Sequence, residues 1–165
     1  MQCAVLFMRN LLKSFVLLLL AVVMTSGCAG VRNVKNLEVL DCKVESVMPM
    51  GLSSASVNFL LKVDNPGNTL ALSQMEAVVY KKGEPFCTLT PSDIALTGRT
   101  QNQFPLKVAA KLSPGVSLLR LLGIVNSSIE EYTVDVKAKV KVKGAPAFKL
   151  DEKGLPVKDL VEKFK

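Results

Sequence analysis

Apolar and polar side chains change rhythm along this chain. The first part, Ser14 to Met24, is apolar without a break after Ser14. From Leu37 onward the rhythm is alternation, the period of a half-buried strand. In Leu37 to Val47, Leu40, Cys42 and Val44 share one face while Asp41, Lys43 and Glu45 take the other. Met48-Pro49-Met50-Gly51 turns the chain, and Ala55, Val57, Phe59, Leu61 and Val63 then alternate with Ser56, Asn58, Leu60, Lys62 and Asp64. Asp64-Asn65-Pro66-Gly67-Asn68 stops that strand, because proline has no ladder donor and Asn and Gly accept turn dihedrals.

The next strand reads Leu70 to Tyr80, with a bulge where alternation breaks at Gln74-Met75. Lys81-Lys82-Gly83-Glu84 closes a hairpin, and Phe86-Cys87-Thr88-Leu89 returns. Further strands are expected at Asp93 to Thr97 and Gln103 to Leu112, the second with Phe104, Leu106, Val108 and Ala110 on one face. Arg99 to Asn102 between them reads as a solvent loop. Ser113 as cap and Pro114 at the first turn predict a helix running to Val125. Its largely apolar circumference fits either packing over one end of a sandwich or insertion into a membrane surface. Tyr132 to Val142 alternates throughout, with Tyr132, Val134, Val136, Ala138, Val140 and Val142 inward. Phe148 and Leu150 suggest a short final strand, and Leu155 to Lys165 a terminal strand or a frayed amphipathic helix. The fold class expected is therefore all-β to α+β, an antiparallel sandwich with one short helix.

The early apolar run has a different meaning. Arg9 and Lys13 precede it, and Thr25-Ser26-Gly27-Cys28 follow, which is the tripartite layout of a secretory signal. The run is shorter than the roughly 20 residues that span a bilayer. Small residues before a cysteine resemble a bacterial lipoprotein cleavage box, in which the thiol takes a diacylglyceryl group before the peptidase cuts. Residues 1–27 then form the signal peptide, residues 28–36 a lipidated tether and residues 37–165 one domain. Met8 opens a more typical signal than Met1, so residues 1–7 are candidates for an unused upstream start. An uncleaved anchor helix, or a plain cleaved signal with Cys28 incidental, is the competing reading. Ala29 is not the Asp that in many bacteria retains lipoproteins at the inner membrane. That resemblance implies the periplasmic face of the outer membrane, with the same face of the inner membrane as the alternative.

A second resemblance rests on the folded part. A strand ending in Val63-Asp64-Asn65-Pro66, then Leu70-Ala71-Leu72, then Val78-Val79-Tyr80 with Gly83 at the next turn, is similar to the late embryogenesis abundant type 2 family, also called the water stress and hypersensitive response domain. The similarity covers roughly residues 40 to 150. Gly67 departs from the Asn or aromatic that the family commonly places after Asn-Pro. The resemblance implies an immunoglobulin-like β-sandwich with one helix and a non-catalytic role in binding or stress protection.

Charge and chemistry narrow the function further. The net charge of +7 falls to about +5 once Arg9 and Lys13 are removed with the leader, a balance suited to anionic surfaces. Nucleic acid is a poor candidate, since two Tyr and no Trp leave little to stack on bases. With no histidine in the chain, Ser-His-Asp and Cys-His catalysis are unavailable, and so is the commonest metal ligand. The acidic pairs Glu130-Glu131 and Asp151-Glu152 stand at adjacent positions and point to opposite faces. No catalytic, metal or cofactor site is expected, and the chain is not read as an enzyme.

Two features remain as candidates. Lys137, Lys139, Lys141 and Lys143 form a basic ridge at spacing two, either protecting an edge strand from edge-to-edge pairing or contacting an anionic lipid or protein partner. Cys42 and Cys87 are the thiols left to an exported domain, either joined in a disulfide or buried separately as small apolar groups. The expected function is a membrane-anchored periplasmic lipoprotein with a binding or stress-protective module. The alternative is an accessory lipoprotein that docks an envelope complex through a sheet edge.

Overall fold

A computed structural model describes residues 37–116 and 129–162. The expected signal sequence, Cys28 and the expected tether lie outside the described residues, as does the apolar stretch that follows Val116.

Among the described residues eight antiparallel strands carry the fold: β1 (Glu38–Pro49), β2 (Ser54–Asn65), β3 (Leu70–Lys81), β4 (Glu84–Pro91), β5 (Ile94–Leu96), β6 (Thr100–Leu112), β7 (Tyr132–Val142) and β8 (Phe148–Pro156). A short 3-10 turn at Ile129–Glu131 precedes β7, and the helix α1 (Val157–Glu162) follows β8. The pairing order is β1-β2-β6-β4-β3-β7-β8, with β5 beside β3. Lettered A to G with β5 left aside, this is A-B-E-D followed by C-F-G, the strand order of a constant-type immunoglobulin sandwich. β4 joins the two layers, pairing with β3 from Glu84 to Leu89 and with β6 from Cys87 to Pro91.

Alternation explains the core. Val57, Phe59 and Leu61 of β2 sit opposite Val108, Leu106 and Phe104 of β6, so the apolar set of one strand meets that of the next. On the other layer Leu70, Leu72, Ala77 and Val79 of β3 meet Val142, Val140, Val136 and Val134 of β7. These faces close on each other in one apolar cluster, with Phe59 fully buried within it. Each such side chain contributes about 1.5–3 kcal/mol through burial.

The turns follow local chemistry. Lys82 (φ 51°) and Gly83 (φ 83°) both take positive φ, giving the two-residue type I′ turn whose twist suits a hairpin. In β3 the ladder slips between Ser73 and Glu76, and Gln74 takes φ 51°, so the bulge stands where alternation fails in the sequence.

Three expectations are corrected. Leu40 faces solvent, because the β1–β2 register slips between Val39 and Asp41 and moves the inward face to Val39, Cys42 and Val44. A second slip follows Val44, so this edge strand is twice bulged, which obstructs pairing with another chain. Thr100, Gln101 and Asn102 belong to β6 and not to a loop, paired with Asn65, Asp64 and Val63. Their side chains are polar because that end of the strand faces water. Finally, the expected helix does not start at Ser113, and the rest of it lies outside the described residues. The amide of Val116 donates to the Ser113 carbonyl at 3.0 Å and Gly115 has φ 83°, which makes Ser113 to Val116 a type II turn.

Candidate functional site

The lysine ridge lies on β7, whose inward side chains are all buried and whose Lys137, Lys139 and Lys141 are all exposed. Lys143 follows the strand, exposed, its amide donating to the Thr69 carbonyl at 2.8 Å. β7 is not an edge strand. It is paired along both sides, to β3 and to β8, so the edge-protection reading of the ridge is overturned. Alternation tells which face a lysine takes; it does not tell how many neighbours the strand has.

Register adds what spacing could not. Lys137 stands between Glu76 of β3 and Asp151 of β8, flanked by acid on both sides. Lys139 stands between Ser73 and Lys149, and Lys141 beside Ala71, which in turn pairs with Ala95 of β5. Thus the ridge is compensated at Lys137 and uncompensated from Lys139 onward. Lys149 is a further member that sequence reasoning missed. Its outward position follows from the Phe148 and Leu150 alternation, but its partner is a matter of register.

On the same outer face, Asp135 orders the β7–β8 bulge. Its Oδ1 accepts the Gly154 amide at 2.8 Å, at the point where the register slips between Val134 and Val136. The Tyr80 hydroxyl also donates to Asp135, and Tyr80 is held above the usual phenol range by partial desolvation first and by the Asp135 charge second.

The turn Pro66 to Asn68 after β2 and the turn Thr97 to Arg99 before β6 meet at the end of the sandwich where β1 begins. Asn65 is only 1% exposed and organises both. Its Nδ2 donates to the carbonyls of Asn68 (3.0 Å) and Thr97 (3.2 Å), with that of Leu96 at 3.5 Å, and its Oδ1 accepts the Gly67 amide at 3.1 Å. The Arg99 amide donates to the Gly67 carbonyl at 3.1 Å. Gly98 fits between the loops because it has no Cβ, which would lie 2.6 Å from the Gly67 oxygen and 2.6 Å from the Thr69 nitrogen. Asn102 fastens the strand start by accepting the Thr97 amide at 2.8 Å and donating to the Thr97 carbonyl at 2.9 Å.

The opposite end is held by charge and aromatic contacts. Tyr132 meets Phe86 edge to face at 6.0 Å between centroids, and the Lys81 ammonium lies 5.6 Å from the Tyr132 ring centre. Lys82 pairs with Glu131 at 3.2 Å, and Lys158 of α1 with Glu130 at 2.6 Å. The hydrogen bond and charge of Lys158 hold the Glu130 carboxyl below its ordinary range.

Cys42 and Cys87 form no disulfide. Cys42 pairs with Leu61, itself opposite Phe104, whereas Cys87 pairs with Leu112 at the far end of β6. Those positions on β6 lie about 26 Å apart along the strand, far beyond the roughly 7 Å that a disulfide spans between Cα atoms. Burial pushes the Cys87 thiol up to about 12. In the unfolded chain the thiol ionises near 9.0. Its contribution is therefore complete below that pH and lost progressively as pH rises toward 12. Urea titrations should show the stability gap between the wild type and Cys87→Ala narrowing by about 2 kcal/mol between pH 8.5 and 10.5. A constant gap would contradict this. Among the described residues no group of His, Cys, Asp and Glu side chains is placed to hold a metal ion.

No family model matches the chain, and no curated protein does. Among solved structures it is similar to a protein from Archaeoglobus fulgidus, at 14% identity over 70% of this chain and 94% of that one, with a TM-score of 0.42. A β-glucuronidase of glycoside hydrolase family 2 shares 9% identity over 66% of this chain and 10% of its own length, at 0.31. The periplasmic chaperone SfaE shares 12% over 67% and 54%, at 0.24. Likeness at these scores carries no argument about kinship or activity, and the reading of the fold stands on its own strand order.

Proposed function

We propose that this chain is an exported lipoprotein, acylated at Cys28, whose sandwich resembles the late embryogenesis abundant type 2 kind and works by contact and not by turnover. The observation that carries the contact reading is the exposed lysine row on an interior strand. Edge protection gives no reason for lysines there, and a row of cations left toward water is what an anionic partner would meet. The site faces the periplasm, at the outer membrane by the sequence of the cleavage box.

The alternative, an accessory subunit docked through a sheet edge, draws less support. Of the longer outer strands, β1 is twice bulged and exposes Glu38, Asp41, Lys43 and Glu45 around Leu40 and Met48, while β8 is bulged at Gly154 and exposes Lys149 and Lys153; β5, paired to β3 alone, is three residues long. Neither longer strand offers a smooth apolar margin for an added strand.

The anchor is tested in a Gram-negative host by metabolic labelling with a fatty acid, fractionation and intact mass. The wild type should appear in the outer-membrane fraction as an acylated chain beginning at Cys28. Cys28→Ser should accumulate as an unlabelled precursor of the full signal length. An intact mass matching an unmodified chain would overturn the anchor.

A further inference from the structure

We propose that the outer face of β3, β7 and β8 lies against anionic lipid headgroups through Lys139, Lys141, Lys143 and Lys149, at the end of the sandwich where its N-terminus enters. This rests on the anchored reading above and goes beyond it by naming the surface, the partner and the orientation.

The first ground is an unrelieved concentration of charge. Lys139 and Lys149 stand directly opposite each other on neighbouring strands, a like-charge arrangement that costs stability. The row containing them is Ser73, Lys139 and Lys149, and the next is Ala95, Ala71 and Lys141, so no paired position in either is acidic; the acid nearest in register is Asp93, which precedes β5 on the far side of Ser73. One step toward the middle of the sheet, Glu76, Lys137 and Asp151 form a compensated row. The cationic field is thus confined to one end, and Lys137 is outside it.

The second ground is where that end lies. Val142 pairs with Leu70 at the start of β3, and Glu38 pairs with Asp64 at the end of β2. β2 passes directly to β3 through the Asn65 loop, so the lysines and the entry of β1 share one end. Eight residues lie between Cys28 and Leu37, so nine Cα–Cα steps give a reach of about 30 Å at most. The strands themselves extend about 40 Å, so an anchor at Cys28 keeps this end, and not the other, beside the membrane.

The third ground is the contrast between the outer faces. At this end the β1–β2 face mixes Glu38, Asp41 and Asp64 with Lys43 and Lys62, and has no sign to offer an anionic surface. On the β3–β7–β8 face the residues between the lysines are small, Ala71, Ser73 and Ala95, so the long side chains can reach a flat surface together. Tethering turns such a weak contact into an intramolecular one, which raises its occupancy without new contacts.

The test uses the full acylated chain, reconstituted in vesicles of phosphatidylcholine alone or of equal parts phosphatidylglycerol and phosphatidylcholine, and labelled with an amine-reactive reagent read by peptide mass. On the anionic vesicles, labelling of Lys139, Lys141, Lys143 and Lys149 should fall about fivefold, while Lys62, Lys107 and Lys111 on the other outer face change less than about twofold. High salt should restore labelling, since the screening length drops to about 3 Å at 1 M. Equal labelling of the two faces on both vesicles, or shielding of the opposite face, would overturn the proposal. An acidic protein as the true partner would give that same equal labelling. The intact mass of the same sample separates the two readings: an acylated chain with equal labelling overturns the face alone, and an unacylated chain with shielding overturns the anchor alone.

Discussion

Phe59→Ala should lower the free energy of unfolding by about 3–5 kcal/mol, the range for removing a fully buried aromatic side chain. Phe59 has no exposed surface and stands at the middle of β2, opposite Leu106 on β6 and Val44 on β1. The cluster it belongs to draws side chains from both layers, and each of those strands is held in its own ladder, so none can move in freely to fill the space. Phe59→Leu keeps most of the volume and should cost less than half as much. Urea denaturation monitored by circular dichroism measures both. A loss below about 1 kcal/mol for Phe59→Ala would mean the layers do not meet at this residue.

The core was legible because it rests on one signal. Where every second residue is apolar and the ladder is regular, as in β2, β6 and β7, face and burial follow from the sequence together. Leu40 shows the limit. A single extra residue between Val39 and Asp41 inverts the phase, and nothing in the pattern Leu37 to Val47 distinguishes a bulge there from an ordinary half-polar strand. At Gln74 the bulge was legible, because two strong apolar runs on either side are visibly out of phase.

The candidate surface was half legible for a related reason. Lysines at spacing two declare a shared outward face, but their electrostatic meaning is set by the strands beside them. Glu76 lies far upstream of Lys137 in sequence and Lys149 ten residues after Lys139, and only pairing makes the first row neutral and the second cationic. The same blindness made β7 look like an edge. Strand order is a long-range property, whereas periodicity is local.

Asn65→Ala should cost about 3 kcal/mol, and Asn65→Asp should cost more at neutral pH and recover on acidification. The sequence presents Asn65 as a turn residue before proline, yet its amide is buried among the carbonyls of Leu96, Thr97 and Asn68. Alanine leaves those oxygens and the Gly67 amide without their partner, each at about 1–3 kcal/mol, softened where the loop opens to water. Aspartate keeps the acceptor for Gly67 but turns a carboxylate oxygen toward carbonyl oxygens. Burial and that repulsion raise its pKa above that of the unfolded chain. The sign follows: the folded variant binds a proton that the unfolded chain has released, so its stability is fullest below the unfolded value and is lost as pH rises through the folded one. Protonated, the carboxyl donates one hydrogen bond where the amide donated two. Chemical denaturation at pH 4 and pH 7 should therefore show Asn65→Asp gaining stability relative to the wild type at the lower pH, while Asn65→Ala keeps a constant deficit. Parallel pH profiles for all three proteins would show that the Asn65 side chain does not bind the two loops together, and that Gly98 and the Arg99 amide hold them alone.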